Sequence, residues 1–311
     1  MKAVNVIILA RMQSDVPLVE QLAGYLIASG GKRIRPLLTL ASTAIYNGEM
    51  KRAHLLAACV EFIHTATLLH DDVVDESSER RGQAAANTVF GNQVSVLVGD
   101  FLFSRAFQMM VEDKNLDILK ILSDASAIIA QGEVMQLTTA NNLDTSLDNY
   151  LEVIKAKTAA LFAAACEVGP VIAGTKAKHA INMRDFGMNL GIAFQIIDDI
   201  LDYSAKQEKL GKTVGDDFRE GKMTAPLILA LENASKEERE FWERTLVQKD
   251  QRDSDLTRAQ SILREHGAFE RAKQMAQDYA DRAIENLSDA PESDLKNLLQ
   301  ELVKFTVARE Y

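Results

Sequence analysis

The residues of this chain whose types and spacing could do chemistry are carboxylates. Asp71, Asp72 and Asp75 lie in the run Leu68-Leu69-His70-Asp71-Asp72-Val73-Val74-Asp75, and the same spacing returns at Asp198, Asp199 and Asp202. On a helix, positions four apart share a face, so Asp71 and Asp75 point the same way with Asp72 a step around. Like charges that close repel, and each is costly to bury unpaired. A cation between them relieves both problems. No cysteine is near and His70 is not at a ligand spacing, so the donors are hard oxygens, suited to Mg²⁺ or Mn²⁺ rather than zinc. Mg²⁺ keeps several waters and typically joins a few carboxylates to substrate phosphates. One such acidic triplet would also fit a solvated helix end. Two copies, each within an apolar helical run, argue for an acidic cage.

Basic residues are placed to meet an anion. Lys32, Arg33 and Arg35 follow Gly30-Gly31 and enter a helix, whose N-terminal amides and dipole favour anions. Arg80 and Arg81 lie one to two turns beyond Asp75, and Lys157, Lys212 and Lys222 are further candidates. Cations beside metal-loaded carboxylates can grip a polyphosphate from two sides. His54, His64, His70, His179 and His266 are scattered, and no G-x-S-x-G, Walker loop or G-x-G-x-x-G is present. The chemistry left is a metal-assisted electrophilic reaction of a diphosphate.

These residues need long helices to hold them, and the composition supplies helix formers. Of 311 residues, 47% are hydrophobic and 26% charged, with only 16 Gly and 5 Pro. The pattern predicts a helix at the N-terminus, one from Pro17 to about Ala28, and another from Leu37 to Tyr46. A long buried helix spans Met50 to Asp75, ending in a charged loop over Glu79–Gly82. Further helices are expected over Asn92–Glu112, Leu116–Thr139, Asp148–Glu167 and Lys178–Tyr203, with Gly169-Pro170 as a break or kink. From Lys236 onward the helices are amphipathic and charged. No strand, linker or repeat is expected, and the chain reads as one all-α domain over residues 1–311.

The net charge of −10 argues against nucleic acid or an anionic membrane as partner. Cys59 and Cys166 read as buried free thiols of a reducing compartment. No run of 18 or more uncharged apolar residues occurs, so no integral membrane span is expected and the location expected is cytoplasmic.

At these positions the chain resembles the trans-polyprenyl diphosphate synthases, in particular the bacterial long-chain enzymes that make quinone side chains. The resemblance rests on Gly-Gly-Lys32-Arg33-Ile-Arg35-Pro36, Glu61-Phe-Ile-His64, the first acidic motif with Glu79-Arg80-Arg81-Gly82, Lys157-Thr158, Phe194-Gln195, the second acidic motif, Gly211-Lys212 and Gly221-Lys222-Met-Thr-Ala-Pro226. It implies an orthogonal helix bundle of the isoprenoid synthase type with a central tunnel, usually homodimeric. It implies three Mg²⁺ ions held by Asp71, Asp75 and Asp198, with Asp72, Asp199 and Asp202 close by. Arg80, Lys157, Lys212 and Lys222 would hold an allylic diphosphate such as farnesyl diphosphate. Lys32, Arg35, His64 and Arg81 would hold isopentenyl diphosphate, and Thr158 and Gln195 would face the developing allylic cation. The released diphosphate would accept the final proton, which would explain the missing base.

The helix ahead of Asp71 is expected to measure the product. Turn by turn back from the motif stand Thr67 and Ala66, then Ile63 and Phe62, then Cys59. Short-chain relatives carry an aromatic near the Ala66 or Thr67 position, and here both are small. Each helical turn opens about 5.4 Å of depth, roughly one isoprene unit. The product expected is octaprenyl to decaprenyl. Phe101, Phe103 and Phe107 would suit a dimer interface or an internal core. The alternatives are a shorter-chain, geranylgeranyl-type synthase, a terpene cyclase or head-to-head synthase, a non-catalytic partner subunit, and a helical interaction protein. The Lys32–Arg35 loop argues against the cyclase, the complete second motif against the partner subunit, and both acidic cages against the interaction protein. A long product must reach a membrane, so peripheral membrane association is expected at release. No role is assigned to Arg309.

Overall fold

The computed structural model describes residues 1–28, 30–80, 82–204 and 214–309. In chain order the helices are α1 (Lys2–Arg11), α2 (Pro17–Ala28), α3 (Ile34–Ile45), α4 (Met50–Val74), α5 (Ala86–Phe90), α6 (Asn92–Glu112), α7 (Leu116–Thr139) and α8 (Leu147–Ile154). They continue with α9 (Ala160–Ile172), α10 (Ala177–Ser204), α11 (Asp216–Glu220), α12 (Ala225–Leu231), α13 (Lys236–Trp242), α14 (Asp255–Glu265), α15 (Ala268–Asn286) and α16 (Asp294–Val307). Wide π turns join α8 to α9 (Lys155–Ala159) and follow α13 (Glu243–Val247). Two compact units form, each from several chain segments. One comprises Met1–Ala127, Leu161–Gly187 and Leu287–Leu299, the other Ile128–Ala160, Met188–Asn286 and Gln300–Tyr311.

The first unit is built on α4, which packs on α1, α3 and α6. Leu56, Ala57, Cys59, Val60, Ile63 and Ala66 are wholly buried along it, so α4 is apolar nearly all round rather than striped. By length and composition α4 and α6 could each cross a membrane, although neither contains an uncharged apolar run of 18 residues. In this fold 61% of the apolar window of α4 is buried, against 39% for α6. The helix ends at its acidic motif, where Asp71 O accepts from Asp75 N at 2.8 Å and Asp72 O from Ser77 N at 3.0 Å. The partial negative charge of a helix C-terminus therefore adds to that of three carboxylates.

Three local features differ from the sequence expectation. Helix α3 begins at Ile34 rather than Leu37, because Arg33 adopts a left-handed φ of 50° and Leu37 N–H already bonds Arg33 O. Pro36 then sits in the first turn, where its missing N–H is no loss. Pro170 does not break its helix; α9 runs through it to Ile172. Gly169 is required there for close approach, since a Cβ would lie 2.5 Å from the Ser42 carbonyl carbon of α3. A strand pair also appears where only a loop was expected: β1 (Glu79–Arg80) and β2 (Gln83–Ala84) form a minimal antiparallel ladder, with Glu79 opposite Ala84. Gly82 takes the turn at φ 73°.

In the second unit every residue of α12 is buried. It packs against α15, which presents Ala272, Ala276, Ala280 and Ala283 at helical spacing. Small side chains let the two helices approach closely. Ser235 and Glu238 close a reciprocal capping box at the start of α13.

Candidate active site

In the first unit the acidic motif sits where α4 gives way to the β1–β2 hairpin. Asp71 and Asp75 are half-buried and Asp72 is buried. The hairpin aims Arg80 back at the helix end, and its Nε and Nη2 both stand 2.6 Å from Asp72 Oδ1. Burial pushes the Asp72 carboxyl up, Arg80 opposes that, and the Asp71 and Asp75 carboxylates add to the rise. The motif thus carries more negative charge than Arg80 alone relieves. Arg81 lies outside the described residues.

The basic loop is organised by the same helix. Arg33 is ion-paired with Glu61, a carboxylate of α4 that is only 5% exposed. That contact fixes the loop between exposed Lys32 and half-buried Arg35. Arg35 Nη1 lies 3.2 Å from His64 Nε2, and its guanidinium carbon stands 4.4 Å from the Phe162 ring centre. Arginine has no acceptor, so it donates, and the proton of a neutral His64 belongs on Nδ1. The structure brings Arg35 and His64 together.

The residues named for product length diverge around α4. Phe62, Thr65, Leu69 and Asp72 line one side of a cavity closed by Ile8 of α1 and by Met12 just beyond its end. On the face toward α6, Cys59 Sγ lies 3.4 Å from Ala106 O and His70 Nε2 3.2 Å from Val96 O. Ile63 and Ala66 share that register and are fully buried. Thr67 is half-buried and donates to His64 O at 2.8 Å.

In the second unit α10 also ends at its acidic motif, and Asp202 O accepts from Gly215 N at 2.9 Å. Asp198 is half-buried and ion-paired with Arg309 at 2.8 Å. Asp199 and Asp202 are both 3% exposed. Asp202 Oδ2 accepts the Asp217 N–H at 3.1 Å. Asp199 accepts from Tyr150 Oη at 2.6 Å and from Gln195 Nε2 at 2.8 Å. Burial pushes the Asp199 carboxyl up to about 7, with the Asp217 carboxylate adding and the Tyr150 and Gln195 hydrogen bonds opposing.

Lys157 and Thr158 sit on the π turn after α8, an irregularity often found at functional sites. Gly132 of α7 makes room for it, since a Cβ there would lie 2.7 Å from Lys157 N. Lys157 Nζ is 2.5 Å from Glu133 Oε2, and Thr158 Oγ1 donates to Gln195 Oε1 at 2.9 Å. Lys222 is paired with Glu220 beyond Gly221, whose φ is 75°. Lys212 and Gly211 lie outside the described residues. Glu61, Glu133, Tyr150 and Arg309 were given no role from sequence. Each acts on a partner far along the chain, and local spacing carries no signal for that.

Among the described residues no group of three or more His, Cys, Asp or Glu forms a ready-made metal cage. The donor set nevertheless fits a hard cation. It is all carboxylate oxygen, both motifs end helices, and at Asp198 a guanidinium already occupies the position of a counter-ion.

Comparison with known proteins agrees with this chemistry. Residues 16–263 match the family model described as Polyprenyl synthetase. An octaprenyl diphosphate synthase of Escherichia coli is 45% identical over 313 residues, covering all of this chain and 96% of that protein. The Haemophilus influenzae octaprenyl diphosphate synthase is 43% identical, covering all of this chain and 94% of the other. Among solved structures, a Caulobacter crescentus polyprenyl synthase complexed with calcium and isoprenyl diphosphate superposes with TM-score 0.97 at 50% identity, over all of this chain and 95% of that one. A Rhodobacter capsulatus decaprenyl diphosphate synthase gives TM-score 0.94 at 48% identity, over all of this chain and 96% of the other.

Proposed function

The chain belongs to the polyprenyl synthetase family, and on that premise we propose that it is a prenyltransferase that adds isopentenyl diphosphate units to an allylic diphosphate to give a long-chain all-trans polyprenyl diphosphate. The observation that carries the reading is the matched placement of the two acidic motifs. Each closes a long helix, α4 or α10, and each has an arginine bound to one of its carboxylates. The octaprenyl and decaprenyl relatives support the long product over the geranylgeranyl-type alternative. The Lys32–Arg35 segment, which would hold a second diphosphate, argues against a terpene cyclase.

Bound Mg²⁺, held by Asp71, Asp75 and Asp198, would neutralise charge on the departing diphosphate. Arg80, Lys157, Lys212 and Lys222 bind the allylic diphosphate and stabilise it as the C–O bond breaks. Lys32, Arg35, His64 and Arg81 orient isopentenyl diphosphate so that its double bond attacks the cation. The Thr158 and Gln195 side chains turn oxygen lone pairs toward that cation. The proton lost in the elimination goes to the released diphosphate. Ala66, Thr67, Ile63 and Phe62 limit the product along α4. The whole chain acts as one catalytic domain with three ions bound, and works as a homodimer with α6 at the interface. We place it in the cytoplasm, peripheral to the membrane at product release, with the product destined for a quinone side chain.

The test is incubation with Mg²⁺, labelled isopentenyl diphosphate and farnesyl diphosphate, followed by sizing of the lipid products. Long-chain products are expected, and the absence of any elongated product would refute the reading.

A further inference from the structure

A hydrogen-bonded chain of four side chains runs through the second unit: Tyr150 to Asp199, Asp199 to Gln195, Gln195 to Thr158. The links measure 2.6, 2.8 and 2.9 Å. Its two ends differ in exposure. Thr158 and Gln195 are half-buried, whereas Tyr150 is 4% exposed and cannot touch a substrate from where it stands. The Tyr150 hydroxyl thus ties α8 to the end of α10.

The donor directions are fixed along the chain. Tyr150 donates to Asp199 Oδ2, which leaves Oδ1 to accept Gln195 Nε2. With its amide nitrogen committed to Asp199, Gln195 must turn Oε1 toward Thr158. The Thr158 proton is then used on Gln195, and its remaining lone pairs are the ones left to face a positive centre. Without the Tyr150 hydroxyl, a buried carboxylate loses one of its two side-chain donors and is free to rotate. The Gln195 amide can then turn over, presenting N–H dipoles where oxygen is needed.

We infer that Tyr150 is a positioning residue for the transfer reaction, acting through Asp199 to hold the Gln195 and Thr158 oxygens toward the allylic cation. The inference rests on the chain-elongation reading above. It concerns stabilisation of the cation and not binding of either diphosphate, and that separates it from a plain structural role.

The experiment compares Tyr150→Phe with the wild type in steady-state kinetics and in calorimetric binding of two allylic diphosphate analogues. One is a neutral thiolo-diphosphate and the other carries an ammonium nitrogen at the cationic carbon. The variant should lose about tenfold in kcat, the size of one lost hydrogen bond in the transition state, with KM for both substrates within about twofold. Its affinity for the ammonium analogue should fall about tenfold and for the neutral analogue by less than about twofold. Equal loss on both analogues, or loss on neither, overturns the inference. If Tyr150→Phe fails to fold, Asp199→Asn replaces it. That variant keeps the volume and gives up the donor match to Gln195, and unchanged selectivity between the analogues would again overturn the inference. A wild type that elongates no substrate defeats the underlying reading instead, so the two failures are distinguishable.

Discussion

Arg309 lies against Asp198, with Nη1 2.8 Å from Oδ1 and the guanidinium carbon 4.3 Å from the centre of the Phe194 ring. Nη2 also donates to Phe194 O at 3.2 Å, and the Arg309 side chain is only 6% exposed. A residue more than a hundred positions along the chain thus neutralises the leading carboxylate of the second acidic motif.

A metal ion at Asp198 has to compete with that guanidinium. Arg309→Gln should bind Mn²⁺ about fivefold more tightly in the absence of diphosphate, corresponding to the roughly 1 kcal/mol of a partly exposed ion pair. Electron paramagnetic resonance titration of free Mn²⁺ measures this directly. Equal or weaker affinity would mean that Arg309 helps the ion rather than displacing it.

Two neighbouring carboxylates of the first motif should fail in different ways. Half-buried Asp71 is proposed as a metal ligand, so Asp71→Ala should cost about 10²- to 10³-fold in elongation rate and leave the melting temperature unchanged or higher. Buried Asp72 holds Arg80 and the hairpin. Asp72→Ala should destabilise the fold by roughly 2 kcal/mol, measured by urea unfolding.

Ala66 is one of the residues proposed to limit product length. It is wholly buried on the face of α4 that turns toward α6. Ala66→Phe should shorten the product by several isoprene units while elongation of the first units persists, read by reversed-phase chromatography of the dephosphorylated lipids. An unchanged product length would move the limit elsewhere.

Cys59 and Cys166 are fully buried, and burial pushes both thiols up, away from the reactive thiolate. A chromogenic disulfide reagent should find neither in the folded protein. Both should react once the chain is unfolded in guanidinium.

Much of this architecture is legible in the sequence because it is local. The ends of α6 and α7 follow from helical periodicity and turn residues, and both acidic motifs follow from spacing alone. What stayed hidden depends on distant partners or on very short elements. The β1–β2 ladder has two residues per strand, too few for an alternating pattern to show. The π turn under Lys157 depends on Gly132 across from it. Tyr150 and Asp199 are 49 positions apart, and Lys157 and Glu133 are 24. Pro170 misled because Pro normally ends a helix, whereas here the helix needs only two more residues. The order of burial within each acidic motif was also not readable, although it separates Asp72 and Asp199 from their half-buried neighbours.

The closing of α4 and α10 on clusters of carboxylate has a consequence for the resting protein. A folded chain that gathers anions where its helix ends are already negative would bind cations in a way the unfolded chain would not. Ligand linkage then makes the stability of the fold depend on free divalent ion, growing as the logarithm of its concentration above the dissociation constant. Magnesium would serve as a folding ligand before any substrate arrives, and the level of that ion in the cell would help set how much of the protein survives.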